Sequence, residues 1–166
     1  MAEVYLLLGS NKGRREQYIS KAMQLIETHC GNISKESSMY ETEAWGLKEQ
    51  AAFLNKAICI TTSLSPVQLL QAIKAIEEET GRTPAAKWGP REIDIDILFY
   101  NDEVISLPEL QIPHPHLHER KFTLAPLCEI APDIVHPTLK KNIKKLLAEC
   151  IDNSIVKLLT PTDKNG

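Results

Sequence analysis

The order of strand-like and helix-like segments is the feature that most constrains how this chain folds. Short apolar runs bounded by turn residues predict strands, and apolar residues spaced three and four apart predict amphipathic helices. The strand patterns lie at 4–8, 33–42, 54–62 and 92–100, and the helix patterns lie at 14–30 and 65–81. We therefore expect an α+β fold with a ferredoxin-like βαββαβ core, whose antiparallel sheet carries its helices on one face.

Local signals define one helix start and several later segments. Ser65-Pro66-Val67-Gln68 predicts a helix start, because serine caps well, proline suits the first helical position and Gln68 completes a capping box. The later expected segments are a turn at 101–102, a hairpin partner at 104–105, an extended loop at 108–115, a helix at 120–130 broken by Pro126 and a final helix at 138–150. The last two would be C-terminal helical additions to the core.

Size and charge predict one soluble domain. The chain has 166 residues, of which 43% are hydrophobic and 25% are charged, close to the average for globular proteins. We expect a single domain over 1–160, a flexible tail at 161–166, and a monomer. The formal net charge of −3 disfavours nucleic acid as a partner, because proteins that bind it carry a basic surplus.

The cysteines and the N-terminus predict a cytoplasmic protein. Cys30, Cys59, Cys128 and Cys150 form no CxxC pair or metal-ligand spacing, so we expect reduced thiols. The N-terminus lacks a basic region ahead of its short apolar run, so no signal peptide is expected. No stretch approaches the roughly 20 apolar residues needed to span a bilayer.

Asp94 and Asp96 form the most informative pair of polar residues. Alternate residues of a strand face the same side, so Ile93, Ile95 and Ile97 would face the core while the two aspartates project together from the other face. Adjacent carboxylates repel each other unless a cation lies between them. Oxygen ligands suit Mg²⁺, which also uses substrate phosphates. The alternative is an ordinary solvated face of an amphipathic strand, although aspartate is disfavoured in strands.

Arg82 and Arg91 flank the aspartates. Arginine grips phosphate oxygens with a forked, permanently charged group. Each arginine alone could be a surface charge. Together with Asp94 and Asp96, they favour phosphoryl transfer, in which a protein mainly positions groups and neutralises charge.

Three histidines alternate along 114–118, at His114, His116 and His118. Zinc is disfavoured, because no cysteine or acidic cluster nearby completes a tetrahedral set. A histidine that donates to a phosphate oxygen fits the neighbouring residues better, and the alternative is an exposed polar loop.

Aromatic residues are scarce and lie in or beside loops. Trp45, Phe53, Trp88 and Phe122 could pack in the core, or could form a slot in which a flat ring stacks. Asn55 could supply the paired donor and acceptor that a heterocyclic amide needs. The GxxxxGK[ST] and GxGxxG nucleotide motifs are missing from the sequence, so any ATP would be held without a Walker-type loop.

Several motifs together resemble those of the 6-hydroxymethyl-7,8-dihydropterin pyrophosphokinase family of folate biosynthesis, from Gly9-Ser10-Asn11 to about Pro137. The most specific is Trp88-Gly89-Pro90-Arg91-x-x-Asp94-x-Asp96-Ile97-Leu98. The others are Tyr40-x-Thr42, Phe53-Leu54-Asn55, Pro113-His114-Pro115-x-Leu117-His118-Glu119-Arg120-x-Phe122 and Pro126-Leu127-x-Glu129-Ile130-Ala131-Pro132.

The resemblance implies an enzyme that transfers pyrophosphate from ATP to the pterin hydroxymethyl oxygen and releases AMP. It implies two Mg²⁺ ions on Asp94 and Asp96, with Arg82 and Arg91 as the other catalytic residues. The implied ATP-binding residues are Glu77, Arg82, Trp88, Arg91, Ile97, His114 and Arg120. The implied pterin-binding residues are Thr42, Trp45, Phe53, Asn55, Trp88 and Phe122.

Two other classes of function stay open on the residues alone. One is a noncatalytic binding module with the same sheet, such as a small regulatory or RNA-binding domain. The other is a metal-dependent phosphohydrolase that would use the same aspartates and arginines. The product formed from ATP, with and without the pterin, separates these possibilities.

Overall fold

A computed structural model describes residues 1–11, 13–43, 52–80 and 93–159 of the chain. Several sequence-based predictions lie outside these residues: the sites at Trp45, Arg82, Trp88 and Arg91, the last residue of the helix pattern at 65–81, and the tail at 161–166. The boundary of the predicted domain at 160 also lies outside them.

The secondary structure follows the predicted order and adds elements near the end of the described chain. The elements are β1 (Ala2–Ser10), α1 (Arg15–His29), β2 (Gly31–Glu36), β3 (Tyr40–Thr42), β4 (Phe53–Thr62), α2 (Pro66–Thr80), β5 (Asp94–Tyr100), β6 (Ile105–Leu107), β7 (Leu110–Ile112), α3 (Lys121–Ile130), α4 (Ile143–Glu149) and β8 (Val156–Leu158). A short 3-10 turn, Leu117–Glu119, precedes α3. In the described part of the chain, no helix combines the length and apolar character needed to cross a membrane.

The main sheet is antiparallel, with strand order β5-β1-β4-β3-β8, and β2 also pairs with β4. The segment predicted as one strand over 33–42 is therefore two strands that pair with β4 one after the other. With β2 and β3 counted together, the last core strand lies beside the first. This order is the one expected of a βαββαβ core, so the predicted fold class is confirmed.

Helices cover both faces of the sheet, whereas the segment order alone predicts only one covered face. Helices α1 and α2 pack against the even-numbered residues of β1, such as Val4 and Leu6. The added helices α3 and α4 pack Leu124, Leu127 and Leu146 against the opposite face. The prediction is thus right for the βαββαβ core, and the C-terminal additions supply the second layer.

Strand β5 contains a β-bulge at Leu98 that divides it into two parts. Leu6 of β1 pairs with Ile97 and Tyr5 pairs with Phe99, so Leu98 is an extra residue. As a result, Leu98 and Phe99 both contribute to the core under α3 and α4. The predicted alternation holds before the bulge, where Ile95 and Ile97 lie in the core under α1 and α2. The sheet face that carries Asp94 and Asp96 is therefore apolar at one end and polar at the other.

Other local predictions meet mixed outcomes. The capping box is confirmed, since the Gln68 amide donates to Ser65 Oγ at 3.3 Å and the Ser65 amide donates to Gln68 Oε1 at 2.9 Å. Pro126 does not break α3, and it lies buried within the helix. The final helix begins at Ile143 instead of 138, where Asn142 Oδ1 accepts from the Lys145 amide at 2.8 Å. The expected loop at 108–115 contains β7, which pairs with β6.

His136 explains why the chain before α4 forms a turn. The buried imidazole accepts, through Nδ1, hydrogen bonds from the amides of Thr138 at 3.2 Å and Leu139 at 3.1 Å. The Thr138 hydroxyl also lies 3.1 Å from Nδ1. Burial, followed by the neighbouring His118 ring, lowers the pKa of His136. The neutral ring is therefore the form that holds this turn.

We expect this turn to make the fold sensitive to acid. The folded-state pKa of His136 lies below its unfolded value near 6.5, so the stabilisation is complete above that pH and is lost as pH falls towards the folded pKa. Protonation of Nδ1 would break hydrogen bonds that together contribute roughly 1–3 kcal/mol to the free energy of unfolding. Urea unfolding between pH 7 and 5 should show a steeper loss for the native chain than for His136→Asn, which keeps an acceptor without titrating. Parallel pH profiles would contradict this role.

Candidate active site

A cleft of about 680 Å³ lies on the polar end of the sheet face described above. This volume is within the range of sites for small molecules. The cleft is bounded by strands β1, β3, β4 and β5, by the start of α3 and by the segment after α4. Its lining residues are Leu7, Gly9, Thr42, Glu43, Phe53, Asn55, Asp94, Asp96, Glu119, Arg120, Phe122, Asp152 and Ser154.

The structure brings together most of the described residues that the sequence points to. Seven of them line the cleft: Thr42, Phe53, Asn55, Asp94, Asp96, Arg120 and Phe122. The pairing of the strands sets the positions of these residues across the cleft. Asp94 pairs with Gly9 of β1, and Gly9 pairs in turn with Asn55 of β4. Since neighbouring strands lie about 4.8 Å apart, the backbones of β5 and β4 are separated by roughly 10 Å across the sheet.

The side of the cleft at β5 is suited to a cation. Asp94 and Asp96 are both half-buried and both line the cleft. Burial raises the pKa of Asp96, and the charge of Arg120 opposes this shift. Burial thus makes ionisation of Asp96 less favourable than in water, and a bound cation would favour the ionised form. In residues 1–11, 13–43, 52–80 and 93–159, no group of three or more His, Cys, Asp or Glu side chains is placed to hold a metal ion.

Arg120 lines the cleft with the aspartates, and its charge acts in turn on His114. The Arg120 guanidinium lies 5.6 Å from the centre of the Phe122 ring, close enough for a cation–π contact. His114 lies outside the cleft lining, with its Nδ1 accepting from the His116 amide at 3.2 Å. Burial lowers the pKa of His114 to about 4, with Arg120 and His116 adding to the effect. At neutral pH its ring is uncharged and can donate a hydrogen bond through Nε2.

The side of the cleft at β3 and β4 offers aromatic rings and polar groups. Phe53 and Thr42 face each other in the register of β3 and β4, and Phe122 comes from the first turn of α3. Thr42 Oγ1 is buried and finds no hydrogen-bond partner among the described residues. Asn55 is also buried, at 4% exposure. A flat heterocycle could therefore stack on the rings and bond to Asn55 and Thr42.

Gly9 makes room for the Asn55 side chain. A Cβ added at Gly9 would lie 2.7 Å from Asn55 Oδ1. That separation is too short for a non-bonded contact, so a larger residue would move the amide. A glycine inside a strand often marks such a close approach. In the sequence, Gly9 stands out only as part of the Gly9-Ser10-Asn11 motif, which gives no sign of this role.

Besides His114, two further predicted nucleotide-site residues lie outside the cleft lining. Glu77 is buried on α2, and its Oε2 accepts a hydrogen bond from the Ile95 amide at 2.9 Å. Ile97 lies in the core under α1 and α2. Glu77 therefore bonds to the backbone of β5 between Asp94 and Asp96, which is a contact that helps to hold the strand in place.

The cleft also contains acidic and hydroxyl residues that were not predicted from the sequence. They are Glu43, Glu119, Asp152 and Ser154. Asp152 and Ser154 come from the segment after α4, far along the chain from the motifs. Two sequence features could have indicated an ordered segment here: the turn-forming residues Asp152-Asn153-Ser154 and the short apolar run that follows them.

Comparison with known proteins identifies the family. Residues 5–132 match the model of the family described as 7,8-dihydro-6-hydroxymethylpterin-pyrophosphokinase (HPPK). This range includes all seven predicted residues that line the cleft. The chain belongs to this family. The resemblance drawn from the motifs is confirmed.

Relatives within the HPPK family share much of the sequence. The 2-amino-4-hydroxy-6-hydroxymethyldihydropteridine pyrophosphokinase of Aquifex aeolicus is 50% identical over 149 residues, covering 90% of this chain and 92% of its own. The protein of the same name from Bacillus subtilis is 47% identical over 131 residues, covering 78% of each chain.

Solved structures agree with the fold. Wild-type HPPK-DHPS of Plasmodium falciparum, crystallised with pteroate, matches 89% of this chain with a TM-score of 0.72 and 20% identity. The match spans only 42% of that longer chain. It supports the HPPK-type architecture and carries no further activity over to this protein.

Proposed function

We propose that this chain transfers pyrophosphate from ATP to the hydroxymethyl oxygen of 6-hydroxymethyl-7,8-dihydropterin, giving AMP and the pterin diphosphate for tetrahydrofolate synthesis. The observation that carries the proposal is one cleft, in a member of the HPPK family, with paired aspartates on one side and aromatic and amide groups on the other. The strands that carry these two sets of groups, β5 and β4, lie roughly 10 Å apart, which leaves room for a ring and a phosphate chain side by side.

Asp94 and Asp96 are the proposed ligands of two Mg²⁺ ions. Their carboxylates fit a cation that retains several waters and completes its shell with substrate phosphates. The raised pKa of Asp96 supports this assignment, because a buried carboxylate gains most from a nearby positive charge. When bound, Mg²⁺ supplies charge neutralisation and polarisation of the phosphate oxygens.

The cationic and histidine side chains would hold the triphosphate. Arg120 lines the cleft beside the aspartates, and the neutral His114 can donate to a phosphate oxygen. We assign Arg82 and Arg91 to contacts with phosphates and to the charge that develops during transfer, and Trp88 to both substrates. Glu77 and Ile97 would contribute from beneath β5, near the nucleotide.

The pterin would lie at the β3 and β4 side of the cleft. Its ring would stack between Phe53 and Phe122, while Asn55 and the buried hydroxyl of Thr42 would bond to its polar edge. Trp45 is a further proposed contact. The hydroxymethyl oxygen would then attack the β-phosphorus in line, as the bond from that phosphorus to the α,β-bridging oxygen breaks and AMP leaves.

The cysteines and the size of the chain carry the proposed cellular setting. We propose a cytoplasmic monomer with a single domain over 1–160. The four cysteines are all unpaired in the described chain, and Cys30 and Cys59 are buried. Burial raises the pKa of Cys30 to about 11, which keeps it an unreactive thiol.

One incubation tests the proposed reaction. The purified protein with ATP, Mg²⁺ and the hydroxymethyl pterin should release AMP, and omission of the pterin should abolish AMP release. Chelation of the metal with EDTA should stop the reaction, and added Mg²⁺ should restore it. ADP or free phosphate formed without the pterin would favour a phosphohydrolase instead. Absence of any reaction would favour a binding module.

A further inference from the structure

The segment after α4 connects the two walls of the aromatic side of the cleft. We define this segment as residues 151–159. Its strand β8 pairs with β3, so that Thr42 lies opposite Val156 and Tyr40 opposite Leu158. Earlier in the same segment, Asp152 and Ser154 line the cleft beside Phe122. One short stretch therefore touches both the strand of Thr42 and the helix of Phe122.

Asp152 caps helix α3. The first four amides of a helix have no partner within the helix, and a side chain usually accepts one of them. Arg120 occupies the capping position of α3 and makes no capping hydrogen bond with its side chain. Instead, Asp152 Oδ2 accepts from the Lys121 amide at 3.0 Å. The cap of this helix thus comes from a residue 31 positions further along the chain.

The Asp152 carboxylate is itself held firmly in place. Its Oδ1 accepts from the Ser154 amide at 2.9 Å and from the Ser154 hydroxyl at 2.6 Å. Burial raises the pKa of Asp152, but the hydrogen bonds from Ser154 and Lys121 outweigh it, and the pKa is lowered overall. The carboxylate is therefore ionised at neutral pH, and its negative charge also suits the positive end of the helix.

We propose that Asp152 is a positioning residue for the pterin site, which fixes the first turn of α3 and so orients the ring of Phe122. The inference rests on the proposed function, because it assigns Phe122 to the pterin. Phe122 directly follows Lys121, whose amide Asp152 binds, so fraying of this turn would displace the ring. The matched family range ends at residue 132 and therefore does not include Asp152.

The test compares two helix caps in the same protein. Asp152→Ala removes the cap of α3, and Asn142→Ala removes a similar side-chain cap from α4, which lies outside the cleft lining. We expect Asp152→Ala to raise the KM for the pterin about fivefold, the equilibrium shift that one cap typically contributes. The KM for ATP should rise less. Asn142→Ala should leave both values close to those of the native enzyme, and Asp152→Asn should fall between Asp152→Ala and the native enzyme.

Hydrogen exchange provides a readout that does not depend on activity. Amides in the first turn of α3 should exchange faster in Asp152→Ala than in the native protein and in Asn142→Ala. Unchanged pterin KM in Asp152→Ala would overturn the proposal while leaving the pyrophosphokinase function intact. So would an equal rise in Asn142→Ala, since that would reflect a general loss of stability. A native protein that forms no AMP would instead overturn the proposed function as well.

Discussion

Replacing Asp96 with alanine is expected to reduce kcat by about 1,000-fold, which corresponds to roughly 4 kcal/mol of transition-state stabilisation. Asp96 lines the cleft, and we assign it to metal binding together with Asp94. Without its carboxylate, the charge that develops on the transferring phosphate would lose part of its neutralisation. Steady-state AMP release at saturating ATP and pterin measures the effect. Asp94→Ala should behave similarly.

The unliganded protein provides the control for folding. Because burial raises the pKa of Asp96, its ionisation above about pH 4 opposes folding when no cation is present. Asp96→Asn should therefore be at least as stable as the native protein at neutral pH without metal. Thermal unfolding measures this, and Mg²⁺ with ATP should stabilise the native protein more than the variant. Near-native turnover in either aspartate variant would refute the metal assignment.

Replacing Asn55 with alanine is expected to raise the KM for the pterin by about 100-fold. A buried amide that bonds to the polar edge of a ligand contributes strongly to binding. Its loss leaves donors and acceptors of the bound ligand without partners. Gly9→Ala should produce a similar rise in the KM for the pterin, although it leaves the chemistry of the Asn55 amide unchanged. Its new Cβ would lie 2.7 Å from Asn55 Oδ1 in the present conformation, so the amide must move.

The double variant distinguishes this mechanism from simple crowding of the cleft. If Gly9→Ala acts by displacing Asn55, it should have little further effect once Asn55 is already alanine. Initial rates over a range of pterin concentrations, measured for both single variants and the double variant, give the coupling. Fully additive losses would show that Gly9 acts independently of Asn55. Circular dichroism of each variant checks that the sheet remains intact.

The parts of the site that depend on local pattern could be predicted from the sequence. Alternation along β5 placed Asp94 and Asp96 together on the face opposite Ile95, because strand geometry makes side chains alternate. The coarse fold followed from the order of the strand and helix patterns along the chain. The assignments of Arg82 and Arg91 remain predictions, since both residues lie outside the described chain.

The parts that depend on distant contacts could not be predicted. The second helical layer requires Leu124 and Leu127 to meet the sheet, and no local signal states which face they will cover. Pro126 was expected to break α3, but it forfeits only one intrahelical hydrogen bond and is buried in the packed layer. Asp152 had no signal for its role, because its partner is the Lys121 amide, and nothing local in the sequence indicates a side-chain cap supplied from so far along the chain.

The contact of the segment 151–159 with the cleft has a consequence for synthesis on the ribosome. The first strand, β1, supplies Gly9, and the last described strand, β8, pairs with the strand of Thr42. Domains generally fold as units. A chain that stops after α4 would lack β8 and, with it, one wall of the cleft. Catalytic competence should therefore require that translation has passed residue 158.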